Sequence, residues 1–159
     1  MLQSRSKERS NNHVAATNTL LERLTRREYI MQFLSLPIIY RWLITILFVG
    51  FVVVLSVMPG RFQTGDSVFV WLVTKTPTPL QKLMHVAVYA TLAMLFMWSL
   101  EIIESQVSRI VVTLVLSLSL GITLEWYQTM VPGRFGTIVD VLLNIIGAVL
   151  GLAAVLLLL

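Results

Sequence analysis

The sequence predicts an all-α membrane protein: four transmembrane helices behind an amphipathic N-terminal interfacial helix, with both termini inside (N-in/C-in). Three observations predict it. Of 159 residues, 57% are hydrophobic and only 13% charged, with a mean hydropathy of +0.83, whereas soluble domains average about 45–50% apolar and about 25% charged. Four apolar segments each approach the ~20 residues that cross a ~30 Å hydrocarbon core. Seven of the twelve Lys and Arg lie in residues 1–41, ahead of or at the start of the first apolar run, the distribution of a cytoplasmic, lipid-facing arm.

Residues 1–18 are polar, basic and without hydrophobic period, a composition that predicts disorder. His13 lies here and carries no metal expectation. Residues 19–36 form the predicted interfacial helix. Thr19 and Glu22 have capping-box spacing, and Leu20, Leu24, Met31 and Leu34 share a face opposite Arg23, Arg26 and Arg27, as in a helix lying on the inner membrane surface. Pro37 then bends or breaks the chain.

The transmembrane domain occupies residues 38–159. Its apolar segments run from about Ile38 to Met58, Leu83 to Leu100, Ile110 to Tyr127 and Ile138 to Leu159. Helices are expected because a lone segment in lipid satisfies its backbone hydrogen bonds internally. The first run is too long, and too far from the N-terminus, for an ordinary signal peptide, so it reads as a retained span. With the N-terminus inside, the arm and Arg109 place eight Lys/Arg on the inner side. Arg61, Lys75, Lys82 and Arg134 place four outside, which agrees with the positive-inside rule. In the first outer loop the apolar stretch Val68 to Val73 fits either a short interfacial helix or a re-entrant lid. Gly147 and Gly151 form a GxxxG suited to close helix packing inside the bundle. Glu101, Glu104 and Arg109 read as a solvated inner loop. Trp42, Trp71, Trp98 and Trp126 lie near span ends, as an aromatic belt requires.

This topology gathers the polar residues of the spans at one level. Lys82, His85 and Tyr89 share a face at the outer end of the second helix. Glu125 and Gln128 share one at the outer end of the third, Arg134 lies in the following turn, and Asp140 and Asn144 share a face at the start of the fourth. Ionisable groups inside a membrane segment point to function, because they are costly to retain there. Arg134 and Lys82 have the chemistry to hold a phosphate or carboxylate, the first as a planar fork and the second as a point charge. His85 and Glu125 are the natural acid–base pair if a proton is transferred. Taken singly, Asp140, Asn144 and Gln128 fit caps and interhelical hydrogen bonds better than ligand contacts. Tyr89 is equally suited to either role.

The absence of cysteine excludes disulfides, thiol nucleophiles and Cys-based zinc sites, and one membrane His makes a zinc centre a poor fit. No metal or other cofactor is expected. The net charge of +4 is explained by the lipid-facing arm, so no nucleic-acid partner is expected.

In order and spacing, Lys82-x-x-His85-x-x-x-Tyr89, Glu125-x-x-Gln128, Pro132-Gly133-Arg134 and Asp140-x-x-x-Asn144-x-x-Gly147 resemble the VanZ-like family of small bacterial membrane proteins, over roughly residues 80–151. The resemblance implies a protein of the bacterial cytoplasmic (inner) membrane and the cell envelope, in a family named from a member linked to resistance to the glycopeptide teicoplanin. It implies no settled activity. Three readings therefore stand. The preferred one is a binder of an anionic envelope lipid or lipid-linked saccharide, through Lys82, Tyr89, Gln128, Arg134, Asp140 and Asn144. The second is an enzyme acting on such a head group, with His85 and Glu125 as catalytic residues. The third is a scaffold or accessory subunit with a protein partner, in which the polar cluster only locks the helices.

Overall fold

The structure is a computed structural model that describes residues 35–58, 68 and 77–158. The basic arm, nearly all of the interfacial helix and most of the stretch Val68 to Val73 lie outside the described residues, as do Arg61, Trp71 and Lys75. Among the described residues four α-helices carry the fold: α1 Ile38–Val57, α2 Thr78–Ser99, α3 Gln106–Gln128 and α4 Ile138–Leu158. A 3₁₀ turn, Leu100–Ile102, ends α2, and among the described residues there is no strand. All four helices have the length and apolarity to cross a membrane. The chain is therefore a multi-pass membrane protein.

Helix α2 starts five residues before the apolar run that announced it. Pro77 precedes it and Pro79 occupies its first turn, where a missing N–H costs nothing because that turn has no intrahelical acceptor to bond. At the start of α3, Ser105 accepts a hydrogen bond from the Ser108 N–H at 3.3 Å, capping one of the helix's orphan donors.

The dominant packing is between α2 and α4, which are separated in sequence by α3 but run parallel in space. Gly147 lies against the backbone of Val86 and Gly151 against that of Ala90, so close that a Cβ would come within 2.4 Å and 2.2 Å of their carbonyl oxygens. The GxxxG thus packs two helices of one chain, as small residues at this spacing allow. Ala93, Met97, Ala148 and Leu152 extend the seam. On its other side α2 contributes Tyr89, Leu92 and Phe96, and the 3₁₀ turn contributes Leu100, to a core closed by Trp42, Phe48 and Val49 of α1.

Polar groups close both ends of the bundle. At one end Arg41 pairs with Glu101, donates to the Trp98 carbonyl at 3.3 Å and lies 5.5 Å from the Trp98 ring centroid. One turn deeper, the Thr45 and Ser99 hydroxyls are 2.8 Å apart. Glu101, expected to be merely solvated, is exposed yet ties α1 to the end of α2. The other end, where α1 and α3 finish and α2 and α4 begin, holds the polar cluster.

Candidate functional site

The cluster is built on the loop between α3 and α4. Arg134 N–H donates to the Val131 carbonyl at 3.1 Å, closing a turn over Pro132 and Gly133. Gly133 has φ 78°, a value that suits glycine at the third position of a type II turn, after proline. The turn aims Arg134 back at α1. Its Nε donates to the Met58 carbonyl at 2.9 Å and its Nη2 to the Leu55 carbonyl at 2.8 Å. Leu55 lies in the last turn of α1, whose carbonyls have no intrahelical donor, and Met58 directly follows the helix. The guanidinium is half-buried, and desolvation pulls its pKa below the usual arginine value, an effect the Glu125 charge opposes.

The loop then delivers Thr137 to the start of α4. Its hydroxyl donates to Asp140 Oδ2 at 2.6 Å, and its Oγ1 accepts from the Asp140 N–H at 3.1 Å. This reciprocal arrangement resembles a capping box. Asp140 is therefore engaged as a helix cap, while still lining the cavity described below.

Deeper in, α2, α3 and α4 each supply one member of a close group. His85 Nδ1 is 3.0 Å from Asn144 Oδ1 and 3.6 Å from Glu125 Oε1. Because an amide oxygen only accepts, a hydrogen bond between the two has His85 Nδ1–H as its donor. Asn144 is 1% exposed and Glu125 4%. Asn144 Nδ2 and Glu125 Oε2 are buried without a hydrogen bond of normal geometry. Beside them the Tyr89 ring and the Asn144 amide both lie against Gly121. A Cβ there would come within 3.1 Å and 3.3 Å of them. Gly121 was missed by sequence reasoning, because a glycine within an apolar run has no polar signature.

Around these groups is a cavity of about 520 Å³. Lys82, His85, Tyr89, Glu125, Gln128, Arg134 and Asp140 all line it, and Asn144 stands behind His85. The eight residues gathered by sequence spacing are thus brought together. They are not equivalent. Lys82 is exposed and makes no ion pair within 4.0 Å among the described residues, while Arg134 and Asp140 are bound to their own protein. Apolar side chains, Val52 and Leu55 of α1 and Met84 and Val88 of α2, also line it. Among the described residues no three His, Cys, Asp or Glu side chains are grouped as metal ligands.

The arrangement has the chemistry to hold an anion at its mouth by Lys82, and to present a fixed imidazole and a buried carboxylate on its inner wall. No curated protein and no solved structure matches the chain. The family model of VanZ/LLP1 matches residues 42–159, which takes in most of α1, all of α2 to α4 and every residue of the cluster, and the chain belongs to that family.

Proposed function

We propose that the protein binds an anionic envelope lipid or lipid-linked saccharide in this cavity, on the outer face of the bacterial cytoplasmic membrane. The observation that carries the proposal is a cavity of head-group size, at one end of a membrane-crossing bundle, lined by a lysine that is exposed and makes no ion pair among the described residues. Pockets of about 300–1,000 Å³ take one small molecule. Lys82 provides the accessible cation, and Arg134 chiefly holds α1 in place beside it. The excess of Lys/Arg on the N-terminal side supports an outward-facing cavity.

Reconstitution in nanodiscs tests this. The protein should retain phosphatidylglycerol over phosphatidylcholine, and Lys82→Glu should remove the preference. Each basic residue near a surface contributes about 1 kcal/mol to anionic lipid binding, so reversing one charge, about 2 kcal/mol, weakens retention roughly thirty-fold. A cysteine placed at Phe135, in this chain without cysteine, should react with an impermeant maleimide added outside the cell. Labelling only after lysis would overturn the orientation.

A second reading has its own support. Asn144 fixes the His85 ring beside Glu125, as general acid–base chemistry on a head group requires. It predicts that Glu125→Gln still binds lipid but converts none.

A further inference from the structure

The cavity carries its free cation and its neutral polar groups at different depths. Of the two Lys/Arg side chains on the lining, Arg134 donates to the Leu55 and Met58 carbonyls. Lys82 is exposed and makes no hydrogen bond or ion pair among the described residues. Tyr89 follows on the same face of α2 seven residues later, about 10 Å farther along the helix. It is 3% exposed, and Gln128 at the end of α3 is 6% exposed. Both line the cavity.

Neither the Tyr89 hydroxyl nor the Gln128 amide makes a hydrogen bond among the described residues. Neither is sealed in protein, because the buried side-chain atoms without a partner belong to Arg109, Ser117, Glu125 and Asn144. Buried polar groups are as a rule hydrogen-bonded, so these two keep their bonding capacity for whatever fills the cavity. Each of them both donates and accepts. The carboxyl groups of Glu125 and Asp140 on the same lining add acceptors and no cation. A phosphodiester only accepts, and its charge finds its partner at Lys82. A hydroxyl both donates and accepts, and its partners lie deeper.

We infer that the cavity selects a phosphate-linked polyol, glycerol or a sugar, with the phosphate at Lys82 and the hydroxyls bound inward by Tyr89 and Gln128. The inference rests on the head-group reading above and adds the chemical class of the head group and the residues that recognise it. The step of about 10 Å from Lys82 to Tyr89 leaves room for a phosphate followed by one glycerol or sugar unit.

The test offers two lipids of equal charge in phosphatidylcholine nanodiscs: phosphatidylglycerol, and phosphatidylethanol, which has the same phosphodiester without a free hydroxyl. The wild type should retain phosphatidylglycerol over phosphatidylethanol roughly thirty-fold, the effect of two net hydrogen bonds. Tyr89→Phe and Gln128→Leu should each lower that ratio about five-fold, with the melting temperature and the preference for either anionic lipid over phosphatidylcholine kept. Equal retention of the two anionic lipids by the wild type would overturn the inference and leave the head-group reading standing. A ratio unchanged in both variants would overturn the assignment to Tyr89 and Gln128. No preference for either lipid over phosphatidylcholine would refute the head-group reading, and the inference with it. Glycerol 3-phosphate bound by the lipid-free protein as tightly as phosphatidylglycerol would overturn the lipid as the source of the polyol, and weaker binding upholds it.

Discussion

Replacing Arg134 decides whether this side chain is a ligand contact or a structural tie. Its Nε and Nη2 donate to the Met58 and Leu55 carbonyls at 2.9 and 2.8 Å. Hydrogen bonds to a charged group contribute about 1.5–3 kcal/mol each, so the pair is an upper bound of about 3–6 kcal/mol. In Arg134→Ala, water reaches part of the vacated space and restores some of this, leaving a loss of about 2–4 kcal/mol. That corresponds to a fall of roughly 5–15 °C in melting temperature for a domain of this size. Arg134→Lys keeps the charge but replaces a planar fork by a point donor that reaches one carbonyl well, and should recover about half. The assay is thermal unfolding in detergent, followed by near-ultraviolet circular dichroism, with the exposed Lys82→Ala as the control that should not move. An unchanged melting temperature in Arg134→Ala would refute the tie and return the guanidinium to the role of a free anion ligand.

Two further predictions follow from helix contacts. A Cβ in Gly151→Ala would sit 2.2 Å from the Ala90 carbonyl oxygen, so α4 must retreat by about 1 Å to reach the usual C···O separation. The cost is about 1–3 kcal/mol of stability, read by the same melts, and the retreat should also lengthen the His85–Asn144 hydrogen bond. Asn144→Ala removes the acceptor that keeps the proton on His85 Nδ1. In a His13→Gln background, ¹⁵N shifts of the remaining imidazole should change from one Nδ1–H tautomer to a mixture.

Much of this was legible in the residues. The apolar runs mark all four helices because the bilayer sets their length, and the i, i+3 and i+4 spacings group the polar residues by face. Topology then forces those faces to one end. The beginning of α2 was harder, since Thr78 to Lys82 is not apolar, and the sign of helix there was Pro79 in the first turn rather than hydropathy. Two contacts had no readable signal. Arg134 bonds to backbone carbonyls, which every residue possesses, so nothing in Leu55 or Met58 marks them as partners. Arg41 and Glu101 stand sixty positions apart, and each looks like an ordinary charge at a span end. Only the pairing of α1 with the far end of α2 joins them. The parallel contact of α2 and α4 was half legible: the GxxxG announced a close approach, and the partner emerged only in three dimensions.

The most direct test of a lipid-binding cavity is native mass spectrometry of the gently extracted protein, comparing wild type with Lys82→Glu. Lys82 is exposed and makes no ion pair among the described residues, so the variant should fold as the wild type does. The account predicts an anionic lipid on the wild type and its loss from a variant with an unchanged melting temperature. Equal lipid on both proteins, or none on either, would contradict it and leave the polar cluster as a lock between helices.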